Sequence, residues 1–330
     1  MNTILTTEFE HIYNTLGDRV GALSNKTILI TGATGLIGSY IVDFLIWLNN
    51  LHDTNIKIVA TATSPDPQIG IEYIQCDLSV PNAFNPTHKF DYIIHATGPT
   101  DPVIYAQNPA DVMKTNIIST IQILEQASKK NAQILYISSG EIYGNNTDHA
   151  FTESDKCQIN LNTARACYPA AKAACEALCQ SYAQMHNLHT NIVRPGFVYG
   201  PNVSDTSMRV NAQFLRNAIA GKNLTLQSQG NQKRSWVYVA DTASAILCVM
   251  LNAPQGEAYN IAPPQSTATI YEYACAMART AGVNVEISPT ATATTNADSV
   301  LDAAKLINLG WQPQYDLEQG IKHTLQQKQQ

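Results

Sequence analysis

The sequence predicts an α/β protein, a doubly wound parallel sheet followed by a smaller C-terminal lobe. Three observations carry this. Over the first 195 of 330 residues, short runs rich in Ile, Val and Thr alternate with longer amphipathic stretches, the pattern of right-handed β-α-β crossovers in a sheet covered on both faces. With 45% hydrophobic residues, the chain can build a sizeable core. After Pro195 the alternation loosens into shorter elements, as suits a lobe laid over the sheet.

Residues 1–23 show a weak helical pattern and form an N-terminal extension with no assigned role. Apolar alternation predicts strands at Thr27–Thr31, Lys57–Ala62, Glu72–Gln75, Tyr92–Ala96, Gln133–Ser138 and Thr190–Arg194. Between them, helical periodicity predicts helices over Ile37–Asn49, Pro109–Lys130 and Ala166–His186. Further on, helices are expected at Asn211–Ala220, Asp241–Leu251 and Tyr271–Ala281, with short strands at Leu224–Gln227 and Ala258–Ile261. Val285–Val300, rich in Thr, Ala and Asn, reads as a surface loop. The domains then run 24–195, with 236–262 returning to the sheet, and 196–235 with 263–330 as the lobe.

Composition narrows the partners. Twenty Lys and Arg against 26 Asp and Glu give a net charge of −6, which argues against nucleic acid or an anionic membrane as the main partner. The longest apolar stretch, Ile41–Leu48, contains Asp43 and falls short of the roughly 20 residues a membrane span needs. Met1–Glu10 lacks the basic start and apolar run of a signal peptide, so a soluble, cytoplasmic protein is expected. Seven cysteines (Cys76, Cys157, Cys167, Cys175, Cys179, Cys248 and Cys275) form no Cys-x-x-Cys pair. They read as reduced thiols, and no metal site is expected.

The run Gly32-Ala-Thr-Gly35-Leu-Ile-Gly38 follows the first strand at once and opens the first crossover helix. In that context glycines allow a tight turn, close backbone approach to a pyrophosphate, and close helix packing, while the free N–H groups of the helix start face the phosphates. This points to a dinucleotide. The second strand ends in Thr61-Ala-Thr63-Ser64 without the usual acidic residue, and Asp53 lies too early to serve. The 2′-phosphate of NADP calls for a nearby Arg, yet no Arg occurs between Arg19 and Arg165, so NAD is favoured. Asp77, after the third strand, reads either as a cap on the adenine or as a turn residue.

Tyr168 and Lys172 stand four apart at the start of a helix and share a face. An ammonium there is expected to lower the phenol's pKa, so that the tyrosinate takes a hydroxyl proton as hydride leaves for a nicotinamide. Ser139, just past a strand end, is placed to hydrogen-bond the same hydroxyl. His95, ending the fourth strand, reads as structural rather than as an acid or base.

With these motifs in place, residues 26–322 resemble the extended short-chain dehydrogenase/reductase family, the nucleotide-sugar epimerases, dehydratases and decarboxylases. The resemblance rests on Thr31-Gly-Ala-Thr-Gly-Leu-Ile-Gly38, Tyr168-Pro-Ala-Ala-Lys172, Arg234-Ser-Trp-Val-Tyr-Val-Ala-Asp241 and Leu309-Gly-Trp-Gln-Pro313. It implies a Rossmann NAD-binding domain, a C-terminal lobe for a nucleotide-diphosphate sugar, and a homodimer through the helices Pro109–Lys130 and Ala166–His186. Ser139, Tyr168 and Lys172 match the family's catalytic triad. The implied cofactor site takes Gly32, Thr34, Gly35, Leu36, Ile37 and Gly38 from the loop and helix start. Thr63 comes from the second strand end, and Asp77 and Leu78 from the third. Ala96, Thr97, Gly98 and Asn116 follow the fourth, and Tyr168, Lys172 and Pro195 complete the set.

Three stretches resemble the UDP-glucuronate decarboxylase branch: His95-Ala-Thr-Gly-Pro-Thr-Asp-Pro102 continuing to Lys114-Thr-Asn116, Ser138-Ser-Gly-Glu-Ile-Tyr-Gly144, and Arg165-Ala-Cys-Tyr168. Glu141 aligns with an acidic residue that decarboxylases and 4,6-dehydratases use near sugar C5. Oxidation at C4 makes the C5 proton acidic and turns a C6 carboxylate into a β-keto acid, so a base at C5 serves water elimination or CO₂ loss; a 4-epimerase needs none. The alternative is a solvated loop carboxylate. Gly140 departs from the Asp of glucose-type dehydratases and the Ser of decarboxylases. Phe197 departs from a frequent Asn, and reads as a stacking surface or as core. The implied substrate site is Pro99, Ser139, Gly140, Glu141, Phe197, Arg209 and Arg234, with Arg234 the main diphosphate clamp and Arg209 a second candidate. Decarboxylation ranks above 4,6-dehydration, then 4-epimerisation. A 4-ketosugar reductase and a non-catalytic dinucleotide sensor are the remaining alternatives.

Overall fold

Thr27–Thr31 forms β1 within a seven-stranded sheet of order β10-β6-β5-β4-β1-β2-β3, every adjacent pair parallel. The computed structural model describes residues 3–63, 69–144, 148–292 and 298–329. Before β1 comes α1 (Thr3–Leu16). The other sheet strands are β2 (Lys57–Ala62), β3 (Ile71–Gln75), β4 (Tyr92–His95), β5 (Gln133–Ile137), β6 (Thr190–Pro195) and, late in the chain, β10 (Ala258–Ile261). Between them run α2 (Leu36–His52), α3 (Pro102–Gln107), α4 (Pro109–Lys130) and α5 (Cys167–His186). After β6 come β7 (Phe197–Tyr199), α6 (Val210–Ile219), β8 (Leu224–Ser228), β9 (Lys233–Tyr238) and α7 (Val239–Asn252). After β10 follow β11 (Thr267–Thr269), α8 (Ile270–Ala281), β12 (Val285–Thr292), α9 (Ala304–Asn308) and α10 (Leu317–Lys328).

The predicted strands and helices of the first half all form, within two or three residues of their expected ends, because each carries its own apolar period. Residues such as Ile30, Ile58 and Ile94 face α1, α2 and α7, while Leu29, Val59 and Ile93 face α4 and α5, so both sheet faces are buried. The order reverses between β1 and β4, which opens a crevice at the carboxyl ends of those strands.

The second half departs from expectation. Val285–Thr292 is a strand rather than a surface loop, pairing in parallel with β8 (Val285 with Leu224, Ile287 with Leu226). Its Thr-rich composition read as coil, but β-branched residues favour a half-exposed pleat. Later in the expected loop Ser299 bridges to Arg234, and just past it Leu301 bridges to Phe151; 293–297 lie outside the described residues. The three-stranded sheet β11-β9-β7 and the helices α3, α9 and α10 had no sequence signal, being short or weakly periodic.

The N-terminal segment belongs to the main core. Phe9 is fully buried, its ring 5.4 Å from Tyr40, 5.7 Å from Phe44 and 5.9 Å from Trp47. The fully buried Glu8 accepts from Tyr40 (2.8 Å), Tyr238 (2.7 Å) and Gln327, and pairs with His323, tying α1 to α2, β9 and α10. Two motif residues also prove structural. The Asp241 carboxylate accepts from the backbone N–H of Gln314 (2.8 Å) and Tyr315 (3.1 Å), and the buried Trp311 Nε1 donates to Ser244 (3.0 Å). No helix among the described residues is long and apolar enough to cross a membrane.

Candidate active site

The loop after β1 is built for close approach. Gly32 has φ +67°, and a Cβ there would stand 2.7 Å from the Ala96 carbonyl oxygen. A Cβ on Gly38 would enter the Gly32 carbonyl, so α2 can seat against the turn only without a side chain. Gly35 would meet nothing but the Gly32 oxygen at 3.3 Å. Thr34 and Gly35 are exposed, while Leu36 and Ile37 are half-buried. Gly35 caps α2 without a side-chain bond, so the N–H groups of the first turn stay available for an anion.

Across the crevice, Gly98 has φ +144° and would press a Cβ to 2.6 Å from Asn116 Oδ1. Asn116 is buried, donates from Nδ2 to Val112 O (2.8 Å), and leaves Oδ1 unpaired among the described residues. A glycine cradle under an uncapped helix start, with an unpaired buried acceptor opposite, fits a dinucleotide. Of the outer candidates, Thr63 is exposed at the end of β2. Asp77 binds Ser79 through both N–H (2.9 Å) and hydroxyl (2.7 Å), so at least one carboxylate oxygen serves the turn. Leu78 is buried and its carbonyl accepts from Gln122. Ala96 and Thr97 sit half-buried beside the β1 turn, with Ala96 N–H bonded to Thr31.

Ser139, two residues past β5, accepts from Glu141 N–H (3.1 Å) and caps a 3₁₀ turn over Gly140–Tyr143. Tyr168 and Lys172 sit one turn apart on α5, 4% and 3% exposed. Lys172 Nζ donates to Ile137 O (2.9 Å) and lies 4.9 Å from the Tyr136 ring and 5.9 Å from that of Tyr168. Burial pushes its pKa down to about 8, so it stays mostly charged at neutral pH.

The expected lowering of the Tyr168 phenol by this ammonium does not occur. Burial, aided by the Glu141 charge, raises the Tyr168 pKa above the ordinary tyrosine value; Arg209, Ser139 and Tyr105 pull it back. Desolvation of the buried phenolate is the largest cause and outweighs the nearby positive charge. His95 is structural: fully buried between Thr31 (2.7 Å) and Thr120 (3.1 Å), with its pKa driven by burial to about 3.

Two chambers meet at Glu141. The first, about 690 Å³ and open to solvent, is lined by Ser139, Gly140, Glu141, Pro195, Phe197 and Arg209, together with Trp236 and Leu301. The second, about 1140 Å³, takes Arg165, Arg234 and several amides beside Glu141 and Phe197. The two candidate clamps therefore serve different chambers. Arg209 starts α6, its Nε donating to Thr100 O (2.8 Å). Arg234 is buried and donates to Lys233 O (2.8 Å), its guanidinium 5.2 Å from the Phe197 ring. Phe197 is thus half-buried between the chambers, with its ring 5.8 Å from Trp236. Pro99 lines neither chamber; its neighbours Thr100 and Pro102 line the first.

Three contributors escaped the sequence reading. Arg165 donates to Glu141 (2.8 Å) and places its guanidinium 4.8 Å from the Tyr105 ring. Tyr105 stacks on Tyr168 at 4.7 Å and 15°. Leu301 lies over Gly140, where a Cβ would come 2.8 Å from its Cδ1. Only Arg165 had a signal, standing three residues before Tyr168; the other two reach the site through tertiary folding.

Comparison with known proteins agrees with this geometry. The NAD dependent epimerase/dehydratase family model matches residues 28–262. UDP-glucuronic acid decarboxylase 6 of Arabidopsis thaliana is 32% identical over 308 residues, covering 90% of this chain and 87% of the relative. Among solved structures, UDP-glucose 4-epimerase of Thermotoga maritima superposes with a TM-score of 0.78 at 24% identity, covering 91% of this chain and 97% of the other. dTDP-glucose 4,6-dehydratase of Bacillus anthracis, in complex with NAD, gives 0.75 at 22% identity over 91% and 96%. These two structures share the fold. A glycine cradle beside a Ser, Tyr and Lys cluster, a family match over most of the chain and a relative at 32% identity lead to one conclusion: the chain belongs to the NAD-dependent epimerase/dehydratase family of enzymes.

Proposed function

We propose that the protein is a nucleotide-sugar decarboxylase acting on UDP-glucuronate or a close analogue, through transient oxidation at C4. The observation that carries this is the single carboxylate of the two chambers. Glu141 is the one acidic side chain lining either of them among the described residues, and Leu301 fills the space over Gly140. A 4,6-dehydratase must protonate a departing hydroxyl while abstracting the C5 proton, which takes an acid and a base. Decarboxylation of a β-keto acid needs no leaving-group acid, only a proton returned to C5. The pair Arg165 and Arg234 beside Glu141 leaves the second chamber net cationic, which suits an anionic substrate on a chain of net charge −6. The UDP-glucuronic acid decarboxylases among the relatives support the same reading.

Bound NAD supplies the hydride acceptor for C4. Gly32, Gly35, Gly38 and the start of α2 would hold it. Tyr168 takes the C4 hydroxyl proton at its Oη, and Ser139 steadies that hydroxyl with its own. Lys172 keeps a positive charge under the site. Glu141, held in place by Arg165, serves C5. Arg234, in the second chamber, grips the diphosphate, while Arg209 faces the first. Incubating the purified protein with UDP-glucuronate, and separately with neutral nucleotide hexoses, tests this by product mass. A product lighter by one CO₂ from UDP-glucuronate is expected. A product lighter by one water, or an isomer of unchanged mass, overturns it in favour of dehydration or epimerisation.

The protein is also proposed to work as a homodimer through α4 and α5, where the small residues Ala174 and Ala177 are exposed on α5 and permit close helix approach. Sedimentation of the purified protein should give twice the 36.0 kDa chain mass; a monomer at micromolar concentration rejects it. All seven cysteines are free, which supports a reducing, cytoplasmic setting.

A further inference from the structure

We propose that Tyr105 is a positioning residue for the first chemical step: its hydroxyl donates a hydrogen bond to the Tyr168 oxygen and stabilises the phenolate that then takes the substrate proton. This rests on the reading of Tyr168 as the base.

Four observations lead there. Tyr105 lies on α3, which had no sequence signal, yet it is 1% exposed and stacked on Tyr168 with the rings nearly parallel, 4.7 Å apart. The Arg165 guanidinium stands 4.8 Å from the Tyr105 ring, and Arg165 is itself anchored on Glu141, so the ring is clamped. The Tyr105 hydroxyl is buried and makes no hydrogen bond of standard geometry among the described residues, yet it lies near enough to Tyr168 to lower that phenol's pKa. Burying a hydroxyl unpaired is unfavourable, whereas the phenolate form of Tyr168, the form that acts as base, gives it a strong acceptor. Finally, Lys172, with one N–H given to Ile137 O, stands 5.9 Å from the Tyr168 ring and acts on it by charge, so a directly bonded donor adds to its effect.

The chemistry of the two phenols has the right asymmetry. Burial, with the neighbouring Tyr168 and Glu141, drives the Tyr105 pKa far above the ordinary value, so Tyr105 keeps its proton and can only donate towards an anion. Its influence on Tyr168 is to lower the pKa, as a donor to the ionised form does. Tyr105 exchanges no proton with the substrate.

Tyr105→Phe keeps the ring and the stack and removes only the donor. The test is the ultraviolet titration of tyrosinate in the purified, NAD-containing protein, where subtracting the Tyr168→Phe spectrum isolates the Tyr168 transition. In Tyr105→Phe that transition, and with it the acid limb of the kcat profile, should move up by about one to two pH units, the size of a hydrogen bond to a charged group. KM, NAD content and thermal midpoint should hold. A transition that stays in place, or a fall in kcat with no change in the pH profile, overturns the role of Tyr105 and leaves Tyr168 as base. A Tyr168→Phe variant that still turns over overturns the base assignment and the Tyr105 role with it.

Discussion

Tyr168→Phe should lower kcat by roughly 100- to 10,000-fold, the range lost with a general base, while the protein keeps its NAD and its thermal midpoint. The ring stays where it is because its packing owes nothing to the hydroxyl: the stack on Tyr105 and the burial on α5 are both made by carbon. What is lost is the phenol oxygen proposed to take the C4 hydroxyl proton. Product formation by mass, together with NAD released on denaturation, gives both readings from one preparation. A variant within tenfold of the parent would remove Tyr168 from the chemistry, and with it the case for C4 oxidation by this cluster.

Gly38→Ala should be as damaging by a different route. A Cβ at 38 enters the carbonyl of Gly32, and both atoms belong to backbone, so neither can swing aside. The start of α2 must lift from the β1 turn, spoiling the pyrophosphate cradle and straining a packed junction by about 1–3 kcal/mol. The expected result is loss of retained NAD and a thermal midpoint lower by several degrees. Gly35→Ala is the contrast. At φ −80° and with only the Gly32 oxygen near it, Gly35→Ala should fold normally and lose NAD affinity alone, because it adds a methyl on the exposed cap of α2, where the free N–H groups are offered to an anion. Thermal melting and NAD content of the two variants decide the matter. Equal melting points and equal NAD content would show that the loop has room its geometry denies.

Most of the site was legible where chemistry and local order coincide. Gly32, Gly35 and Gly38 could be assigned separate tasks because each follows from its place between a strand and a helix. Tyr168 and Lys172 could be paired because helical spacing alone puts them on one face. The same reasoning failed on the pKa of Tyr168, since spacing says nothing of desolvation or of the Glu141 charge. It also set Arg209 and Arg234 to one task, though Phe197 stands between their chambers.

The sequence by itself determined the sheet and its glycine loop, because strand periodicity, helix periodicity and turn chemistry are properties of neighbours along the chain. It also placed the candidate catalytic residues Ser139, Tyr168 and Lys172 just after a strand and on the helix that follows. Only the tertiary structure decided what surrounds them: Leu301 on Gly140, Arg165 on Glu141, Tyr105 on Tyr168, and β12 where coil was expected. Three of these four contacts join residues about 24 to 160 positions apart, and β12 pairs with β8 across some 60, so they are made by long-range packing that no local period records. Which reaction follows C4 oxidation depends on those contacts, since they set which groups at C5 and C6 can give or take a proton.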